Sequence, residues 1–271
     1  MGSGGAVIES NKLKRKSIGV DINPMSVMIV NETLKKVDLR KLTITFQKIL
    51  EELPEDIKNL QQVERNGELC IIENAVWIGD KLKRVKINYK GKSIRRNANK
   101  VDLEKNETAK KLLKKYKNEV SYSTDQIMRY VKRNQKEYIN ELFSDRNILI
   151  AGWFLKKFEN LTDKEISESL KFVFTSALPN FSKMIPGDLE KVIGKSGWQI
   201  SKFWAPEIHA EKNVIISLEQ RLKKYVKGKE EILVKYYKPT KKKHLEKFLP
   251  NSNCTPFPSL PSNLFPSTVA E

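Results

Sequence analysis

The apolar residues of this chain change period part-way along it, and that change restricts the fold to one that mixes helices with strands. From Asp38 to about Val63, Leu39, Leu42, Phe46, Ile49, Leu50, Leu53, Ile57 and Leu60 recur at three- and four-residue steps. That spacing places them on one face of a helix, and Pro54 is expected to kink or split it. From Glu68 the period falls to two. Glu68–Trp77 and Lys83–Lys90 read as strands joined at Gly79-Asp80. Val85, Ile87 and Tyr89 alternate there with Arg84, Lys86 and Asn88, so one face is apolar and the other polar or basic.

Helices are predicted on either side of this hairpin. Upstream, Gly2-Ser3-Gly4-Gly5 is a flexible turn, Ala6–Lys12 can make one or two helical turns, and Ser17–Asp21 suits a short buried parallel strand. Pro24 then fits the first turn of a helix. Downstream, helices are expected over 106–120, within 124–176 and over 213–226. Thr162 is the expected cap of one, with Glu165 three residues on. Residues 179–199 read as loop. From Pro250 the Pro/Ser-rich chain lacks the periodicity to pack. Four stretches result: an α/β segment with its helix at 1–63, a basic hairpin and helix at 64–123, a helical unit at 124–248 and an unstructured tail at 249–271.

Charge and cysteine content narrow the function. The formal net charge is +18 over 271 residues, and it is concentrated. Lys81–Asn118 carries fifteen Lys/Arg against three acids, and Arg221–Lys247 carries eleven against three. These two stretches contribute +12 and +8, leaving the remainder near −2. A polyanion, above all nucleic acid, is the expected partner of such blocks; a lysine-rich solvated surface is the bland alternative. Lys83, Arg84, Lys86, Arg95, Arg96, Lys110, Lys111 and Lys114 are the candidate contacts. No apolar run reaches the roughly 20 residues a membrane helix needs, so no membrane partner is expected. The N-terminus lacks the apolar core of a signal peptide, which suggests a cytoplasmic protein. Cys70 and Cys254 are too few for a disulfide framework or a cysteine-based zinc site, and no metal is expected.

Among residues that carry chemistry, Gly4 and Asp21 stand 17 apart. In nucleotide-type α/β folds a glycine turn lets backbone approach the ligand, and an acid roughly 20 residues on accepts hydrogen bonds from ribose hydroxyls. Two plainer readings stay open: Met1–Gly5 as a cloning remnant, and Asp21-Ile22-Asn23-Pro24 as an ordinary helix start. His209 and Glu211, two apart, cannot build a metal site alone, so structural or orienting use is expected. Of the tryptophans, Trp153 reads as core, while Trp204, beside Lys202, is the best candidate to stack on a base.

The segment from Gly2-Ser-Gly-Gly5 through Gly19-Val-Asp-Ile-Asn-Pro24 resembles the start of S-adenosylmethionine-dependent DNA methyltransferases of the adenine-N6/cytosine-N4 type. The resemblance implies that Gly2, Gly4, Asp21 and Asn23 hold that cofactor. It continues in Leu142-Phe143-Ser144, Arg146-Asn147, Phe172–Ser176 and Ser182-Lys183-Met184. Phe203-Trp204, His209, Glu211, Asn213-Val214, Glu219 and Arg221 extend it, and all of these resemble the large insert of such enzymes. A little under half of the chain is covered. The fold implied is α/β: a partial Rossmann-like segment, then a mostly helical α+β insert with a β-hairpin that relatives often build around zinc.

Two family elements are absent from the sequence. No Asp-Pro-Phe precedes Gly2, and no Asp/Asn/Ser-Pro-Pro-aromatic loop occurs. That loop is where such enzymes hold the target amine and stack the flipped base. No catalytic residue is therefore assigned. The expectation is a fragment of a DNA methyltransferase, inactive alone, with DNA as partner and a separate chain as the possible carrier of the catalytic half. The alternative is a non-catalytic basic nucleic-acid-binding or accessory protein.

Overall fold

The computed structural model describes residues 4–122, 138–195 and 205–236. Gly2, Trp204 and the expected tail lie outside the described residues. The chain begins with α1 (Gly5–Lys12), an irregular stretch, and α2 (Pro24–Leu34). It continues through α3 (Leu39–Glu51) and the short α4 (Glu55–Lys58). Asp38 caps α3 by accepting the Lys41 amide at 2.9 Å. Pro54 splits the expected helix as its missing N–H requires and becomes the cap of α4.

The expected hairpin is present and is the centre of a larger antiparallel sheet. β1 (Gln62–Arg65), β2 (Glu68–Ile78), β3 (Lys81–Tyr89) and β4 (Lys92–Asn97) follow one another in space, and β7 (Ile208–Lys212) also pairs with β2. β1 takes the first half of β2 (Gln62↔Ile71) and β7 the second (Trp77↔His209). Between β1 and β4 in sequence stand only tight turns. Asn66-Gly67 (φ 52° and 76°) and Lys90-Gly91 (φ 51° and 76°) have the paired positive φ of two-residue hairpins whose twist matches the strands. A short pair, β5 (Gly187–Asp188) and β6 (Ile193–Gly194), interrupts the expected loop.

The remaining helices are α5 (Lys100–Lys115), α6 (Asp145–Glu159), α7 (Lys164–Ala177) and α8 (Val214–Tyr236). α5 starts earlier than expected because Asn99 and Asp102 form a reciprocal capping box. Asp163, rather than the expected Thr162, caps α7, accepting the Ile166 amide at 3.1 Å. One apolar cluster joins α3 (Leu42, Phe46), α5 (Ala109, Leu112), α6 (Trp153, Phe154, Phe158), α7 (Leu170, Phe174) and α8 (Leu218, Leu222). It therefore draws on residues from both sides of the expected boundaries at 63/64 and 123/124. A second cluster (Val63, Cys70, Ile72, Trp77, Val85, Ile87) fills one face of the sheet. Cys70 is a buried packing residue there.

The expected strand at Ser17–Asp21 is corrected. Its residues take up no regular structure and join no ladder among the described residues. Ile18 is 95% exposed, Val20 81% and Ile22 100%. The alternation of a strand is there, but the antiparallel sheet of residues 62–97 and 208–212 does not take the segment in.

Candidate functional site

Gly4 lies immediately before α1 with φ 75°, a left-handed conformation that favours glycine. A Cβ at this position would stand 2.0 Å from Val30 Cγ2, so the turn packs against α2. At the other end of the irregular stretch, Asp21 Oδ1 accepts the Asn23 amide at 2.8 Å. Asn23 Oδ1 accepts the Met25 amide at 3.0 Å, and Pro24 occupies the first helical position. The side-chain oxygen of Asn23 is thus engaged as the cap of α2, the plainer of its two sequence readings. Of the sequence-predicted cofactor residues among the described ones, Gly4 is therefore buried beneath Val30, and Asp21 is a half-buried carboxylate with one oxygen on the Asn23 amide.

The eight basic candidates divide by what they already hold. Lys86 pairs with Glu73 at 2.9 Å, and Arg96 makes a two-pronged ion pair with the fully buried Asp102. Arg84 Nη1 donates to the Leu189 carbonyl (2.7 Å) and Arg95 Nε to that of Lys191 (2.9 Å), which ties the β5–β6 loop to the sheet. Lys110 pairs with Glu107 one helical turn before it. Lys83, Lys111 and Lys114 are exposed and have no ion-pair partner among the described residues, and Lys81, Lys92 and Lys117 share that state. These six project from the start of β3, β4 and the α5 region. Between the turn and α5 runs an open groove of about 500 Å³, with Leu82 and Leu103 among its lining residues and Lys81, Lys83 and Lys100 along it. Asn106 also lines it, and its buried Oδ1 has no partner.

Two of the sequence blocks singled out above, around Arg146 and around Glu211, meet inside the molecule. Arg146 on α6 donates to Glu211 on β7, and both are nearly fully buried. Asn147 donates to Glu211 Oε2 (3.2 Å) and to the Phe181 carbonyl (3.0 Å), while its own oxygen accepts from Gln61 (2.9 Å). Asn213 donates to the Ile72 carbonyl at 2.9 Å and caps α8 through the Ile216 amide at 3.1 Å. Sequence reasoning missed this bolt between sheet and helices; an Asn immediately before an apolar helix was the available signal.

His209 stacks on Trp77 with ring centroids 6.3 Å apart and planes 7° from parallel. Burial pushes its pKa below the usual histidine value, against the opposing pull of Glu211. The ring is accordingly neutral at pH 7. Its Nδ1 faces the Pro206 carbonyl at 3.1 Å, an acceptor only, so the proton sits on Nδ1. Arg146, Glu211, Asn147 and His209 form interior scaffolding; no group of three or more potential metal ligands occurs among the described residues. Trp153 is core, as expected. No family model, curated protein or solved structure matches this chain.

Proposed function

We propose that this chain is the cofactor- and DNA-holding part of an S-adenosylmethionine-dependent DNA methyltransferase that modifies the exocyclic amine of adenine (N6) or cytosine (N4). One observation carries the reading: a left-handed glycine turn, a helix, an exposed irregular stretch ending at Asp21 and a second helix begun by Asn23-Pro24 follow in that order. In a Rossmann-like arrangement this stretch would be one strand of a parallel sheet, and its exposed Ile18, Val20 and Ile22 are what such a strand buries.

In this reading the Asp21 carboxylate accepts hydrogen bonds from the ribose hydroxyls, and the Gly4 turn, packed under Val30, holds α1 against α2 beside it. The cofactor supplies the methyl group. The lysines at 81, 83, 92, 111, 114 and 117 neutralise phosphates and hold the duplex, which positions a target without reading its sequence. The sequence lacks the Pro-Pro-aromatic loop that orients a target amine, so the transfer step belongs to residues outside this chain.

The test is calorimetric titration of S-adenosylmethionine into the full chain and its Asp21→Ala variant. Saturable binding weakened by about tenfold or more in the variant is expected, equivalent to about 1.4 kcal/mol. Equal affinity in both removes the ribose assignment. The free lysines also favour a second reading, a non-catalytic nucleic-acid-binding protein. Salt-sensitive duplex binding with no cofactor affinity is the result that selects it.

A further inference from the structure

The N-terminal segment is fastened to the rest of the molecule by polar groups. Of the described residues up to Lys36, only Gly4, Val30 and Glu32 are buried. Val30 covers the Gly4 turn, and Glu32 faces α7 and α8. Glu32 Oε1 accepts from Ser169 Oγ at 2.6 Å and from the Tyr225 hydroxyl at 2.5 Å. Beside it Lys229, only 5% exposed, extends its ammonium from α8 to the end of α2. It donates to the backbone carbonyls of Glu32, Thr33 (3.3 Å) and Lys35 (2.7 Å).

The first two of these carbonyls belong to the last turn of α2, where a helix leaves its acceptors without partners. A cation at that end also opposes the negative pole of the helix. A lysine this buried is uncommon unless its charge is met, and here three backbone carbonyls accept from it while the Glu32 charge opposes the cost of burial. Lys35 adds a third tie, donating to the Glu165 carbonyl (3.0 Å) and Glu168 (2.9 Å) of α7.

We propose that Lys229 and Tyr225 are positioning residues for the cofactor turn: from α8 they clamp the C-terminal end of α2, and α2 in turn fixes Gly4 through Val30 and the Asp21–Asn23 turn through its capped start. This inference rests on the cofactor reading. The two functional parts are thereby linked, because α8 belongs to the insert and α2 to the cofactor segment. Loss of the clamp frees α2 while leaving the helical core intact, since α2 contributes no residue to that core.

The experiment is amide hydrogen exchange on the full chain, wild type against Lys229→Met and Tyr225→Phe, with calorimetric titration of S-adenosylmethionine into each. Exchange over residues 24–34 is expected to quicken by about tenfold or more in Lys229→Met and less in Tyr225→Phe, with α6 and α7 unchanged. Cofactor affinity is expected to fall in the same order. Unchanged exchange over 24–34 overturns the clamp, and so does acceleration that spreads equally through α6 and α7. Faster exchange over 24–34 with wild-type affinity overturns the positioning role. If the wild type takes up no cofactor while 24–34 still loosens selectively, the cofactor reading falls and the clamp stands.

Discussion

Residues 4–36 bury Gly4, Val30 and Glu32, whereas the helices from Leu39 to Val226 bury Phe46, Trp153, Phe154, Phe158 and some twenty further apolar side chains in one cluster. Apolar sequence is not lacking in the first region: α2 carries Met25 and then Val27, Met28, Ile29 and Val30 in succession. The difference is in what they meet. The helices close on one another and on Arg146–Glu211, while Ile18, Val20 and Ile22 meet solvent. Apolar patterning therefore states what a segment can bury, and the neighbours available decide whether it does.

The largest effect should come from the interior of the helical region. Arg146→Met leaves Glu211 buried without its cation, a situation that typically costs about 3–5 kcal/mol. Denaturant titration of the full chain is expected to show that loss in its main transition. A shift below about 1 kcal/mol would place Arg146 among surface-like pairs.

Glu219 gives the next largest effect, and it depends on pH. Burial pushes its carboxyl up to about 7, with Lys223 opposing, and its Oε1 has no hydrogen-bond partner. A carboxyl whose folded pKa is raised stabilises the fold below its unfolded value of 4.5, and that contribution is lost as pH rises through 7. Glu219→Gln should therefore match the wild type near pH 4.5 and exceed it at pH 8 by about 3 kcal/mol. Parallel stability curves for the two proteins across that interval would remove the assignment.

The free lysines bring a smaller change, in the salt dependence of DNA binding. Replacing both Lys111 and Lys114 with alanine should reduce the slope of log affinity against log salt by roughly 2. Lys86→Gln, whose ammonium is already held by Glu73, should leave the slope nearly unchanged. Equal effects of the two changes would show that ion pairing inside the chain does not sort the basic residues. The smallest effect on global stability belongs to Val30→Ala. It should loosen the Gly4 turn, seen as faster amide exchange in α1 and α2, with the main transition unmoved.

Several elements were legible from period and punctuation alone. α3 followed from its apolar spacing, its end from Pro54, the β2–β3 hairpin from alternation, and the start of α2 from Pro24. β1 and β4 were not read, although Asn66-Gly67 and Lys90-Gly91 mark two-residue turns, because the strands beside them are short and charged. β7 was hidden for a different reason. Its inward residues, His209 and Glu211, are polar, and Arg146, which makes their burial possible, lies more than sixty positions earlier. At the candidate sites, charge counting located the basic region but not its internal pairing. Lys86 and Arg96 look as free as Lys111 in the sequence and become engaged only when Glu73 and Asp102 fold against them. The 17-residue interval from Gly4 to Asp21 was legible, and so was the competing use of Asn23 as a cap.

The most direct test of the central claim is amide hydrogen exchange of the full chain with and without S-adenosylmethionine. Protection is expected over residues 4–23, in the Gly4 turn and the approach to Asp21, with no change in α6 and α7. An exchange pattern the same with and without the cofactor, at concentrations saturating for such enzymes, would contradict it.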